Sequence, residues 1–383
     1  MLDTQAVLYT LSVVFGAIVG YAFLRWFQSY TFRNALYTAQ PYVEGPAPQE
    51  TAAVSRGTDG GPYTWIIHMY PPKHNAGAEM MAHALNTHLI REQRAQVNVI
   101  ADERSIAMHD RVNLICAKDH AGRTRAVHEA TVLLSHLDNE AKAAQTAVRA
   151  RKPLVLVMHN NFRDPWLKEF KKILPGNLHL IHNSLWIQRH YARHELPGIV
   201  LRPPVDWRDY CVESTREYVT LINMNVNKGA KLFVKLAQRM PDVQFLGVKG
   251  SYGPQVLKEC RNLKLVENTP RIKDVYGRTG ILLMPSKYES WGRTAVEAMS
   301  SGIPVIAHPT PGLVESCGDA GIFCSRNDLD AWEREIRRLK RDDAYYAEAS
   351  AAAKRRAMEL DPGPQLAAAA KWLAGLKWKD PGP

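Results

Sequence analysis

Short apolar runs alternate with amphipathic stretches along most of the chain, in two successive series. The first series holds seven runs, at 64–69, 97–100, 112–116, 131–134, 154–158, 178–181 and 198–201. The second holds six, at 218–223, 244–248, 263–266, 281–284, 304–307 and 321–324. Each is short enough to be a strand buried on both faces, and the segments between them have helical spacing. Strands alternating with helices predict parallel, doubly wound sheets, so two Rossmann-like domains are expected. Arg202-Pro203-Pro204-Val205-Asp206 separates the series, and its stiff prolines suit a junction between domains. After 328 the pattern turns helical, with segments expected at 329–339, 344–360 and 364–378. Trp372, Leu373, Leu376 and Trp378 form an apolar face on the last.

The N-terminal end departs from this pattern. Residues 6–24 are an uncharged, largely apolar run of 19 residues. As a helix it would extend about 28 Å, enough for a bilayer core. Arg25 follows directly, and Trp26 and Tyr30 are placed as interfacial anchors. A membrane anchor is the expected reading. A cleaved signal fits less well, because Asp3 and no basic residue precedes the run and no A-x-A site follows it. A soluble or interfacial helix is the third alternative. Arg25 and Arg33 after the run place the large C-terminal part in the cytoplasm. The proline-, glycine- and alanine-rich stretch 40–61 reads as a flexible linker. The expected division is anchor 1–30, linker 31–62, first domain 63–203, second domain 204–358 and terminal helix 359–383.

A formal charge of +11 makes an anionic partner plausible. Basic residues are interleaved with acids rather than gathered in a run, which argues against a nucleic-acid stripe. The five cysteines are odd in number and form no CxxC pair, so neither a disulfide framework nor a zinc knuckle is expected.

Residues 281–324 carry the densest chemistry. They read as strand, loop, helix, strand and loop, with the helix at 292–301, Ser290 as its N-cap and Gly302 as its stop. Glu289 lies before the helix and Glu297 inside it, roughly 12 Å apart at about 1.5 Å per residue. That is close to the span from sugar to ribose in an extended nucleotide sugar. The helix N-terminus between them, with Ser290, Trp291, Gly292 and Arg293, is a natural seat for a diphosphate. Lys228, in the sequence NMNVNKGAKLF, stands where it can neutralise charge growing on a leaving diphosphate. In isolation the two glutamates also fit a loop acid and a helix-face acid, and Lys228 a surface lysine.

Pro285-Ser286, Glu289, Gly292-Arg293, Glu297-Ala298-Met299, Gly302 and Pro304-Val305 together resemble the donor-site signature of GT-B glycosyltransferases. The resemblance is to the GT4-type retaining enzymes with an E-x7-E motif, of bacterial or bacteriophage kind. It implies a GT-B fold, two Rossmann-like domains facing a cleft, with the terminal helix crossing back onto the first. A second membrane contact through Trp372 and Trp378 is the alternative for that helix. The resemblance implies a donor linked to UDP or GDP, no cofactor, and Glu289 on the sugar with Glu297 on the ribose. It extends to Pro311 and Gly312 in the next loop, to the "PPV-D" junction, and to the phosphate lysine of NKG at Lys228. Many family members carry an arginine shortly before that lysine. Here Met224 and Asn225 stand there, Asn225 is counted with the donor residues, and Arg293 is the candidate for the missing charge.

Residues 72–79 resemble the family's glycine loop near donor and acceptor, of which Gly77 remains beside Ala76. Glu79 reads equally as a first-turn helix acid. His136 and His159 end the fourth and fifth runs, where ligands of open α/β sheets bind. Either is a sugar contact or a structural histidine, with Asp138 and Asn160 as second candidates. Asn183-Ser184 resembles the family's "NS" step and fits a turn equally well. Asp328-Leu329-Asp330 looks like a metal-binding D-x-D but opens a helix, where acids favour the dipole; no metal is expected. The expected function is transfer of a sugar from a nucleotide sugar to a hydroxyl of a glycan, lipid or protein. The alternatives are a DNA-modifying glucosyltransferase and a non-catalytic membrane-anchored binding protein.

Overall fold

The computed structural model describes residues 60–380, apart from 75, 103–105, 251–252 and 259. The expected anchor at 6–24 and nearly all of the linker lie outside the described residues. Among the described residues no helix is long and apolar enough to cross a membrane.

The first sheet contains β1 (Tyr63–Ile67), β2 (Val97–Ala101), β3 (Met108–His109), β4 (Val112–Cys116), β5 (Val132–His136), β6 (Leu154–Met158), β7 (Leu178–His182) and β8 (Gly198–Val200). Its order is β3-β4-β2-β1-β5-β6-β7-β8. All pairs are parallel except β3–β4, a two-residue-turn hairpin that the apolar pattern does not announce. Its turn, Asp110-Arg111, has φ of 46° and 67°, the left-handed pair that matches strand twist in such hairpins. Alternation sorts the side chains of β1 cleanly. Trp65 and Ile67 enter one core layer with the helix Gly77–Gln93, and Ile66 enters the other with the helices His120–Glu129, Glu140–Ala150 and Asp164–Ile173.

The second sheet contains β9 (Tyr218–Ile222), β10 (Phe245–Val248), β11 (Leu263–Val266), β12 (Thr279–Met284), β13 (Val305–Ala307) and β14 (Gly321–Phe323). Its order is β11-β10-β9-β12-β13-β14, parallel throughout. β12 begins earlier than its apolar run because buried Thr279 is satisfied twice. Its hydroxyl meets Thr220 at 2.9 Å and donates to the Val275 carbonyl at 2.8 Å.

In both sheets the strand order reverses at a central parallel pair, β1/β5 and β9/β12, and the ends of these strands meet at one cleft. The helix Gly363–Ala374 returns to the first domain, where Leu366, Ala369, Ala370 and Leu373 join its core. It stops at Ala374 rather than reaching Trp378. Trp378 lies beyond it and packs on the opposite core layer. Gln365 ties this helix to the junction by bonding both backbone groups of Arg202.

Candidate active site in the interdomain cleft

A cavity of about 860 Å³ lies between the strand ends of the two sheets. The first domain supplies His68, His74, Gly77, Glu79, His136, Asp138, His159 and Asn183, and the second supplies Asn223, Lys228, Lys249 and the loop 286–294. Leu137 after β5 and Asn223 after β9 both hold positive φ, 55° and 73°. Left-handed non-glycine residues facing a cavity are a mark of functional sites, and no sequence pattern revealed them.

Lys228 ends the short 3-10 turn Val226–Lys228, which Asn225 caps by accepting from the Asn227 amide at 2.8 Å. Its ammonium donates to Glu289 Oε1 at 2.5 Å, and Ser286 Oγ donates to the same oxygen at 2.8 Å. The two residues expected at opposite ends of the sugar–phosphate bond are thus an ion pair across the cavity floor. Asn225 itself does not line the cavity; its amide is engaged by the turn and by the Pro254 carbonyl.

The helix after this loop runs Arg293–Ser300, and its N-cap is Gly292, not Ser290. Gly292 sits at φ 95°, and a Cβ there would come within 2.5 Å of Leu313. Ser290 serves the domain interface instead. Its hydroxyl accepts from Asn183 Nδ2 and its carbonyl from Trp186 Nε1, both at 2.7 Å. Trp291 is buried against Val205 and Val296. Gly312 and Pro311 stand behind the loop rather than on the cavity. Gly312 is required because a Cβ would meet the backbone of Glu289 and Ser290 at 2.4 Å, and Pro311 opens the helix Pro311–Cys317.

Arg293 is the largest departure from expectation. Its guanidinium donates to Glu297 Oε1 at 2.5 Å, to the Pro204 carbonyl at 3.1 Å and to the Tyr210 hydroxyl. Burial opposes its charge, but Glu297 and then Tyr210 more than offset this, and its pKa is raised. An arginine committed to three partners, one of them anionic, does not replace a free cation at the diphosphate. Glu297 also accepts from the Tyr276 hydroxyl at 2.8 Å and stays 9% exposed on the cavity wall. Neither tyrosine carries a sequence signal, because each reaches the glutamate's cluster from a distant segment.

On the opposite wall, His136 Nδ1 and His159 Nε2 lie 3.1 Å apart, with the Trp65 ring edge-on to His136. Burial lowers both pKa values. His136 is held well below its ordinary value, with His159 adding to the effect, and His159 falls to about 4, with Arg163 adding. Burial thus favours the neutral form of both rings, in which one donates and the other accepts. Glu79 is buried, its Oε2 has no hydrogen-bond partner among the described residues, and burial raises its pKa. Asp138 lines the cavity and accepts from Arg163 at 3.2 Å. Asn160 lies off the cavity, its side chain accepting from the Phe162 amide. Ser184 caps the helix Leu185–Tyr191, while Asn183 faces the cleft. Asp328 caps the helix Leu329–Arg341 and Asp330 pairs with Arg239, so that D-x-D serves a helix start.

The neutral histidines fix a pH dependence. Unfolded histidine titrates near 6.5, so below that pH the unfolded chain takes up a proton that folded His159 refuses until about 4. Stability is therefore complete above about 6.5 and is lost as pH falls toward 4, by up to about 1.4 kcal/mol per pH unit for this residue. Urea denaturation at pH 7, 6 and 5 measures the slope. His159→Gln should flatten it, and an unchanged slope would remove His159 from the account.

Two doubly wound domains whose strand ends face one cleft form a GT-B-like architecture. Residues 218–356 match the family model Glycosyl transferases group 1, so the chain carries a domain of that GT4-like family. The chain is 36% identical over 77 residues to the O-antigen chain mannosyltransferase B of Escherichia coli, covering 20% of each. It is 24% identical over 211 residues to a D-inositol 3-phosphate glycosyltransferase of Nocardiopsis dassonvillei, covering 45% of this chain and 49% of that one. The chain thus spans between a fifth and about half of these curated relatives. The structure of Anabaena HepE in complex with UDP-glucose superposes with TM-score 0.66 at 17% identity, covering 82% of this chain and all of the other. At that identity the likeness is one of fold.

Proposed function

We propose that the cleft binds a nucleoside-diphosphate sugar and transfers its sugar, with retention, to a hydroxyl acceptor presented from the first domain. The observation that carries this reading is the Lys228–Glu289 pair beside the N-terminus of the helix Arg293–Ser300. The diphosphate lies over that helix end and displaces Lys228 toward its oxygens. The lysine then counters charge that grows as the anomeric C–O bond lengthens, the electrostatic role a metal ion often fills. Glu289, relieved of part of the lysine, turns its carboxylate to the sugar hydroxyls. Glu297, steadied by Arg293 and Tyr276, accepts from the ribose. The neutral His136–His159 pair offers a donor or an acceptor to the sugar without adding charge.

The test uses UDP-, GDP- and ADP-sugars in a thermal-shift screen, since a ligand at 100 times its Kd adds about 2.7 kcal/mol. With the responding donor, Glu297→Gln should raise KM and weaken the free nucleoside diphosphate, which retains the ribose. Glu289→Gln should lower kcat and leave the free diphosphate nearly unaffected. If both variants weaken the diphosphate alike, or neither does, the carboxylates do not divide the donor between them. Melting curves of each variant separate this from loss of the Arg293 partner.

A further inference from the structure

Outside the cleft, one cluster brings together three metal-ligating side chains from separate elements. His83 lies on the helix Gly77–Gln93, His109 ends β3, and Asp110 opens the hairpin turn. One ligand atom from each lies within 4.8 Å of the others. His83 Nε2 is 3.0 Å and His109 Nε2 3.9 Å from Asp110 Oδ2. The two imidazoles stack with centroids 4.9 Å apart and planes inclined by 23°. None of the three lines the cleft cavity.

We propose that His83, His109 and Asp110 form a binding site for a divalent late transition-metal ion, of which Zn²⁺ is the probe. Two imidazoles and one carboxylate are ligands that such ions prefer, and with three protein ligands a water completes a tetrahedron. Zinc–nitrogen and zinc–oxygen bonds of about 2.0–2.2 Å set ligand–ligand edges of roughly 3.3–3.6 Å, so His109 must draw in from 3.9 Å while the 3.0 Å His83–Asp110 separation opens slightly. Asp110, at 61% side-chain exposure on a turn, has room to make that adjustment.

The surroundings of His83 supply the second observation. Its other nitrogen, Nδ1, lies 2.9 Å from the Tyr70 hydroxyl. That hydroxyl accepts from Asn86 Nδ2 at 3.0 Å, and Asn86 Oδ1 accepts from Trp65 Nε1 at 2.7 Å. Tyr70, Asn86 and Trp65 are all buried. A ligating histidine whose far nitrogen meets a buried polar chain has its ring orientation fixed by outer partners. A bound ion would pin the β3–β4 hairpin to a helix whose first turn, at Gly77, opens into the cleft.

Isothermal titration of the metal-stripped, tag-free full chain with Zn²⁺ tests the site, with Co²⁺ absorption as a report of tetrahedral coordination. One ion per chain is expected. His109→Ala and Asp110→Asn should each weaken it at least tenfold, and Tyr70→Phe, which touches no ion, by about 10–100-fold as outer-shell changes do. Circular dichroism confirms that each variant is folded. Absence of saturable binding, or binding that His109→Ala leaves unchanged, overturns the assignment. An unaltered affinity in Tyr70→Phe with loss in His109→Ala would reduce it to an adventitious surface histidine pair.

Discussion

Lys228→Ala is expected to lower turnover by about 100- to 1,000-fold, equivalent to about 2.7–4 kcal/mol in the barrier. The donor KM should move far less. The lysine is held for this task. Gly229 beside it adopts φ 90°, with a Cβ position only 2.5 Å from Pro285, so the turn is locked against the end of β12. Before donor binds, Glu289 holds the ammonium at 2.5 Å. A diphosphate in the ground state exchanges one anionic partner for another, which contributes little net affinity. As the leaving group gains charge, the same ammonium gains attraction, and only that increment enters kcat. Initial rates with the responding nucleotide sugar measure it. Adding Glu289→Gln to Lys228→Ala should cost less than the sum of the single changes, because the two act as a unit. A turnover within a factor of two of the unaltered protein would leave Lys228 as a partner for Glu289 and nothing more.

The second large effect is expected at Glu315, on the helix Pro311–Cys317 of the second domain. Its carboxylate reaches across to the first domain, accepting from the Leu185 amide at 2.8 Å, from the Trp186 amide at 3.3 Å and from Arg202 Nε at 2.9 Å. It thereby satisfies free amides at the start of the helix Leu185–Tyr191, where negative charge is favoured. The side chain is only 13% exposed. Glu315→Ala leaves a partly buried arginine and two amides without their acceptor, a loss on the order of 3 kcal/mol. The contact between the two domains should weaken with it. Denaturation midpoints and amide exchange at Leu185 and Trp186 read the change, and Glu315→Gln should recover part of it. Unaltered exchange at those amides would show that the domains are held by other contacts.

The contrast between Lys228 and Glu315 shows what the sequence discloses. Every expected strand is present; those buried along their whole length, such as β6 and β12, leave dense apolar runs. The hairpin strand β3 escaped, since Met108 and His109 make too short a segment to show a period. Glu289, Glu297 and Lys228 were legible because their spacing from a helix start is local. Contacts between distant segments were not. Tyr210 meets Arg293 across 83 positions and Glu315 meets Leu185 across 130, and contacts of that reach follow from how the layers stack. For the same reason Arg293 read as an open cation, Ser290 as a helix cap and Gly312 as a donor contact. The structure gives these three residues an internal ion pair, a domain seam and a backbone clearance.

The return of the helix Gly363–Ala374 orders events during synthesis on the ribosome. The core of the second domain draws only on residues between Val205 and Leu360, so it has all its parts once that stretch has emerged. The first domain, although translated earlier, lacks Leu366, Ala369, Ala370 and Leu373 from its core until the second is complete. Asn177 then bonds both the amide and the carbonyl of Lys379, and Arg151 pairs with Asp380. The nascent chain therefore finishes its first-made half last, and the cleft acquires its upper wall in final form only after its floor is in place.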